Sequence, residues 1–143
     1  MKIIVSACLL GLNCRYGGDG CADARVLALA KEHELVPVCP EQLGGLATPR
    51  EPNEILGGRV VDRRGRDSTE NFERGAGEVL KLAKLLGCQA AVLKERSPSC
   101  GSSLIYDGSF SGRRIPGAGV TAALLMSNGL LVTSEERLSE LWK

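Results

Sequence analysis

Four short apolar runs, separated by segments with helical periodicity, limit most strongly how this chain can fold. The runs cover residues 3–5, 35–38, 90–93 and 130–132. Short aliphatic runs bounded by Gly, Pro or polar residues are typical of strands that are buried on both faces of a parallel sheet. Pro37 lies inside the second run and predicts an edge strand, because proline cannot donate a hydrogen bond to a neighbouring strand.

Helical patterns between these runs give an alternating order of strands and helices. The clearest pattern is an apolar residue every three or four positions from residue 72 to residue 86, stopped by Gly87. Further elements are predicted as follows: a helix over 22–33 starting near Asp19 or Cys21, a hairpin over 104–110 on the turn Asp107-Gly108, a helix over 120–127 and a last helix around Leu138. We therefore predict an α/β fold, a three-layer domain with a mainly parallel, Rossmann- or flavodoxin-like sheet of about four strands.

Length and charge narrow the class of protein. The 143 residues fit a single domain covering 1–143. The 18 basic and 17 acidic residues nearly cancel, and no basic stripe with interleaved aromatics is present, so we expect a small-molecule ligand and no nucleic acid. The apolar start is shorter than a signal peptide core, and no run approaches the ~20 residues of a membrane span. We expect a cytoplasmic protein with reduced thiols and no membrane contact, in an oligomeric state that the sequence leaves open.

Three of the six cysteines follow predicted strands. Cys8 comes shortly after the first strand, Cys39 directly after the second, and Cys100 lies in a Ser-Pro-Ser-Cys-Gly loop after the third. Right-handed crossovers bring the carboxyl ends of parallel strands to one edge of a sheet. The three thiols are therefore predicted to converge at that edge.

Several kinds of site are compatible with three separated thiols. A structural zinc site normally takes four ligands in paired C-x₂₋₄-C units, and a thioredoxin-like site needs C-x-x-C, but the sequence has neither spacing. A [4Fe-4S] cluster on three cysteines would leave one iron open for substrate. A non-catalytic iron–sulfur or metal-binding protein, such as an electron carrier or sensor, stays open as the alternative.

Two further features near the third thiol could contact a ligand. The serines of the segment 97–103 supply hydroxyl and amide groups that could bond sulfur or an oxyanion. Glycines precede the predicted helix at 120–127, so its N-terminus is a candidate cradle for an anion or cofactor. Plain turn residues are the alternative interpretation of both features.

Four sequence segments resemble the DUF523 family, and the match runs nearly end to end. The segments are SACLLG around Cys8, VPVCPEQLGGLATPR around Cys39, LKERSPSCGSSLIYDGSFSG around Cys100, and GAGVTAALL. This family includes the 2-thiouracil desulfurases, small enzymes with a [4Fe-4S] cluster on three cysteines. The resemblance implies the non-redox desulfuration of a small thiolated substrate such as 2-thiouracil, to uracil plus sulfide.

The resemblance also implies roles for individual residues. By this resemblance, the cluster ligands are Cys8, Cys39 and Cys100. The catalytic acid–base is Glu41, and an assisting hydroxyl comes from Ser97. The remaining cysteines have no role in this scheme and are expected to be ordinary thiols: Cys14, Cys21 and Cys88. Independently of the resemblance, Glu95 at the end of the third strand is a rival for the acid–base role, but it is expected to pair with Arg96, Lys94 or a helix cap.

Overall fold

The computed structural model describes residues 1–142, and within them eight strands and four α-helices. In chain order the strands are β1 (Lys2–Ser6), β2 (Glu34–Val38), β3 (Asn53–Leu56), β4 (Arg59–Asp62), β5 (Ala90–Leu93), β6 (Leu104–Tyr106), β7 (Arg114–Pro116) and β8 (Leu131–Ser134). The helices are α1 (Ala24–Ala28), α2 (Pro40–Leu43), α3 (Thr69–Leu86) and α4 (Val120–Ser127). Three short 3₁₀ turns cover Ala7–Leu10, Leu29–Lys31 and Leu138–Trp142, and the last takes the place of the predicted final helix. None of the helices in this described part is long and apolar enough to cross a membrane.

A four-stranded parallel sheet forms the centre of the structure, in the order β2-β1-β5-β8. Two antiparallel pairs, β3 with β4 and β6 with β7, lie outside this sheet. Strand β2 lies at an edge, as Pro37 predicted. The structure therefore confirms the predicted α/β fold with a parallel sheet of four strands.

Alternate residues of β1 face opposite sides of the sheet and belong to different parts of the core. Ile3 and Val5 pack in one cluster with Val26 of α1 and with Leu141. Ile4 packs in a second cluster with residues of α3 and α4. Helical segments therefore cover both faces of the sheet, which gives the predicted three-layer arrangement.

The first helix is much shorter than the predicted helix over residues 22–33. Asp23 caps it, since its carboxylate accepts the N–H of Arg25 at 2.9 Å, so the predicted start near Asp19 or Cys21 is wrong. The backbone N–H of Cys21 donates to Cys8 O, in the 3₁₀ turn after β1, at 2.9 Å. The chain is therefore bonded to that turn and does not become helical until the cap.

The predicted hairpin over residues 104–110 is present with a different second strand. Strand β6 pairs with β7, and a wider loop joins them in place of the predicted Asp107-Gly108 turn. The Glu54 carboxylate accepts the N–H of Gly108 at 3.0 Å and of Phe110 at 3.1 Å. These two bonds hold the loop open, and no local sequence pattern indicates them.

Two glycines let α2 lie directly against α3. A Cβ on Gly75 would stand 1.8 Å from Pro40 O, and a Cβ on Gly44 would stand 2.0 Å from Asn71 O. Both distances are shorter than any real contact, so these positions exclude a side chain. Because α2 begins directly after Cys39, α3 fixes the backbone that carries this cysteine.

Replacing Gly75 by alanine is expected to destabilise the protein by roughly 1–3 kcal/mol, because the new methyl group forces α2 away from α3. Gly77→Ala is the control on the same helix, since nothing lies within 4 Å of a Cβ there. This control should stabilise the protein by roughly 0.5–1 kcal/mol, because alanine favours the helix. Urea denaturation measures the free energy of unfolding of both variants. Equal changes in the same direction would contradict the packing argument.

Candidate active site

A cavity of about 440 Å³ opens where β1, β2 and β5 end. Its wall includes Cys8 after β1, Cys39 after β2 and Cys100 in the loop after β5. Glu41 and Ser97 line the same cavity. The fold thus brings together all the side chains to which the sequence analysis gave a role.

Cys100 lies near both of the other predicted ligand thiols. Burial raises the pKa of Cys100 to about 12, a hydrogen bond with Ser6 opposes the rise, and Cys39 adds to it. Burial also raises the pKa of Cys8, and the thiols of Cys21 and Cys100 raise it further. Thiolates at these positions therefore need a positive partner, and bound metal ions supply such a charge.

Ser97 closes the turn that carries Cys100. Its Oγ accepts the backbone N–H groups of Ser99 and Cys100, both at 3.1 Å. In both bonds the Ser97 hydroxyl is the acceptor, and it donates no hydrogen bond to a group within residues 1–142. Ser97 therefore shapes the turn, as the alternative interpretation held, and it can also donate a hydrogen bond into the cavity that it lines.

The N-terminus of α4 holds the SPSCG loop rather than a ligand. The N–H of Val120 donates to Pro98 O at 2.9 Å, and the next N–H in the chain, that of Thr121, donates to Ser99 O at 2.9 Å. A Cβ on Gly119 would stand 2.4 Å from the Ser99 carbonyl carbon, so glycine lets the helix approach the loop. The candidate anion cradle is therefore not supported, because its N–H groups are already bonded to backbone.

Glu41 lies in the first turn of α2, and Arg50 holds its carboxylate. Arg50 Nε donates to Glu41 Oε1 at 3.0 Å, and the side chains are only 8% and 16% exposed. The sequence analysis did not single out Arg50. Sequence spacing does not reveal a buried ion pair. The only feature of the sequence that pointed to Arg50 was its position at the end of the motif VPVCPEQLGGLATPR.

Cys14 is a fourth thiol on the cavity wall. Its carbonyl oxygen accepts a hydrogen bond from Cys39 Sγ at 3.6 Å. Burial raises the pKa of the Cys14 thiol to about 12, and Cys39 adds to the rise. Cys21 lies beside Cys8, and Cys88 is buried in the second core cluster. The sequence analysis missed the position of Cys14, because this residue follows no predicted strand.

A comparison with known families identifies the chain. The family model described as 2-thiouracil desulfurase matches residues 3–137. The chain belongs to the 2-thiouracil desulfurase family. The resemblance to DUF523 found in the sequence is therefore confirmed.

Two relatives of this family member match it over nearly their whole length. The chain is 46% identical over 149 residues to the uncharacterized protein YbbK of Bacillus subtilis (strain 168), an alignment that covers 97% of this chain and 99% of the relative. The structure matches that of the [4Fe-4S]-dependent thiouracil desulfidase TudS with a TM-score of 0.93 at 48% identity. That match covers 98% of this chain and 94% of TudS.

The donor set of this family member fits an iron–sulfur cluster. Residues 1–142 contain no group of three or more Cys, His, Asp or Glu side chains arranged to hold a single metal ion. The three predicted ligands stand instead on three separate segments around one cavity: Cys8, Cys39 and Cys100. A polynuclear cluster is wider than one ion, and soft thiolates are its usual ligands.

Aromatic side chains are concentrated at the cavity. The whole chain has two Tyr, two Phe and one Trp. Of these, Tyr16, Tyr106 and Phe110 line the cavity, and the guanidinium of Arg63 lies 5.6 Å from the centre of the Phe110 ring. Flat apolar faces of this kind suit a planar ring as ligand. The scarcity of aromatic residues was a sequence signal that the analysis did not use.

Glu95 has a structural role in this site. The residue is 3% exposed, and its Oε1 accepts the N–H groups of Ser102 at 2.9 Å, Ser103 at 3.2 Å and Arg96 at 3.3 Å. The expected pairing with a neighbouring cation is wrong, since Lys94 pairs with Glu135 at 2.8 Å and the Arg96 side chain pairs with Glu136 at 2.7 Å. Glu95 instead ties the end of the SPSCG loop to the end of β5.

Glu95 is expected to make the fold sensitive to acid. Burial would raise its pKa, but the N–H groups of Ser103 and Ser102 outweigh burial and lower the pKa from 4.5 to about 2. As the pH falls, the Glu95 carboxylate binds a proton in the unfolded chain at a higher pH than it does in the folded chain. Glu95 therefore stabilises the fold above pH 4.5, and this contribution is lost as the pH falls towards 2. The full contribution is roughly 3 kcal/mol.

Urea unfolding of the parent and of Glu95→Gln, at about pH 6 and about pH 3, measures this effect. The parent should lose more stability on acidification than the variant does. Identical pH dependence in the two proteins would show that other carboxylates cause the acid sensitivity.

Proposed function

We propose that this protein removes sulfur from a thiolated nucleobase such as 2-thiouracil, giving uracil and sulfide without net redox change. In this proposal a [4Fe-4S] cluster is held by Cys8, Cys39 and Cys100. The observation that carries the proposal is that these thiols, Glu41 and Ser97 line one cavity. The 48% identity to the thiouracil desulfidase TudS supports it.

The bound cluster would supply a Lewis-acidic iron without a protein ligand, to which a soft thiocarbonyl sulfur can bind. Glu41 accepts a proton from the water that attacks the carbon of the C=S group. The hydroxyl of Ser97 donates a hydrogen bond to the negative charge that develops during this attack. The sum of the reaction is C=S plus H₂O giving C=O plus H₂S, so no oxidant or reductant is consumed.

Tyr106 and Phe110 restrict the substrate to a flat molecule in this scheme. A planar heterocycle can stack on a ring of this kind within the cavity that the three cysteines also line. A cavity of about 440 Å³ lies within the usual size range for small-molecule sites.

Anaerobic purification followed by assay with 2-thiouracil tests the proposal. The protein should be brown, contain iron and acid-labile sulfide, and release one sulfide for each uracil formed. On exposure to air, visible absorbance and activity should fall together, because an iron without a protein ligand is open to oxygen. Activity that outlasts the absorbance would refute the proposed role of the cluster.

The competing class, an electron carrier or sensor, predicts a different result. Such a protein would hold a cluster that accepts and returns one electron, and it would leave 2-thiouracil and 4-thiouracil unchanged. 2-Thiouracil incubated without the protein serves as the control for non-enzymatic loss of the substrate.

A further inference from the structure

Arg50 lines the cavity and joins three segments of the chain, two of which also line it. Its Nε donates to Glu41 Oε1 at 3.0 Å, and one Nη donates to Cys14 O at 3.0 Å. The other Nη donates to Thr48 Oγ1 at 3.0 Å and to Ala47 O at 3.3 Å. Protein acceptors therefore take up most of the N–H groups of this planar cation, and its orientation is fixed.

The guanidinium donates a hydrogen bond to only one of the two carboxylate oxygens of Glu41. A bidentate pair would engage both oxygens, whereas here only Oε1 receives a hydrogen bond. No group within residues 1–142 donates to Oε2, and Oε2 is not among the fully buried atoms that lack a partner. Glu41 therefore has one fixed oxygen and one accessible oxygen on the cavity wall.

We propose that Arg50 is a positioning residue, which fixes Glu41 so that Oε2 is the oxygen that exchanges a proton with water in the cavity. This inference rests on the function proposed above and deepens it. A free glutamate side chain samples several rotamers, and only some of them place an oxygen beside the attacking water. By holding Oε1, Arg50 keeps Oε2 in one place before substrate enters, which raises the fraction of productive encounters.

The link to Cys14 O makes the position of Glu41 depend on a second loop. The guanidinium bridges the start of α2 and the Cys14 segment, and the backbone N–H of Arg50 donates to Tyr16 O at 2.7 Å. A lysine at position 50 keeps the charge but lacks the planar fork, so it cannot hold both segments at once. Arg50→Lys should therefore restore only part of the function that Arg50→Gln loses.

A double-mutant cycle on the purified, cluster-containing enzyme tests this inference. Arg50→Gln should lower kcat on 2-thiouracil by about 10- to 100-fold. Its iron and sulfide content and its dissociation constant for 2-thiouracil should stay within roughly twofold of the parent. In the Glu41→Gln background the same substitution should change kcat by no more than roughly twofold, because the group that Arg50 positions no longer transfers a proton.

Arg59→Gln is the matched control. Arg59 pairs with Asp67 at 2.8 Å, is 58% exposed and does not line the cavity, so this variant should resemble the parent in every measurement. Equal losses from Arg50→Gln in both backgrounds would overturn the inference, since Arg50 would then act independently of Glu41. Loss of iron in both Arg50 variants would also overturn it, by assigning Arg50 to the scaffold of the cluster site.

Failure of the proposed function gives a distinguishable result. If Glu41→Gln alone retained the parent rate, Glu41 would not be the proton-transfer residue, and the positioning role would fall with it. If instead Glu41→Gln is slow and the two substitutions are additive, only the inference about Arg50 fails.

Discussion

Replacing Cys8, Cys39 or Cys100 singly by serine is expected to abolish cluster binding. Serine keeps the size of the side chain but offers a hard oxygen donor whose proton is far more difficult to remove than that of a thiol. With only three protein ligands proposed, each loss leaves two. Iron and acid-labile sulfide per protein chain, measured after anaerobic reconstitution, should fall close to zero in each variant.

The three remaining cysteines supply matched controls with the same chemical change. Cys14→Ser, Cys21→Ser and Cys88→Ser are expected to retain the cluster. Cys14 gives the most demanding control, because it lines the same cavity and its carbonyl contacts Cys39 Sγ at 3.6 Å. A cluster that persists in Cys39→Ser and disappears in Cys14→Ser would transfer the ligand role from Cys39 to Cys14.

The sequence allowed the parallel sheet and the meeting of the distant thiols to be predicted. Short apolar runs between helical patterns define buried parallel strands, and parallel strands must end at the same edge. Cys8 and Cys39 therefore had to lie at one edge once the strands were assigned, and the loop that carries Cys100 starts from the same edge. The long helix α3 was equally predictable, because its apolar period is local in sequence.

Side-chain partners that lie far apart in sequence could not be predicted in this way. Glu54 holds the loop after β6 through the N–H of Gly108, and the N-terminus of α4 binds the carbonyls of the SPSCG loop. These contacts depend on how loops pack after the sheet has formed. The same limit applies to Arg50, whose bonds to Glu41 and Cys14 O exist only in the folded cavity.

Replacing Glu41 by glutamine is expected to lower the rate of desulfuration by roughly 10²- to 10⁴-fold while the cluster remains. Glutamine keeps the size of the side chain and can still accept the hydrogen bond from Arg50 Nε, so the wall of the cavity should keep its shape. It cannot take up the proton of the attacking water, which is the step assigned to Glu41. Iron content, substrate binding and the rate on 2-thiouracil should be measured together for each variant.

Glu95→Gln is the matched control for this prediction, because it makes the same chemical change in a carboxylate of the same cavity wall. Glu95 accepts backbone N–H groups from the loop that follows it, so its loss should reduce the free energy of unfolding and leave the rate per cluster nearly unchanged. A Glu41→Gln enzyme with a full cluster and the parent rate would refute the assignment. A selective loss of rate in folded, cluster-loaded Glu95→Gln would move the proton-transfer role to Glu95, and the bonds that now hold the SPSCG loop would have to be broken and remade in each turnover.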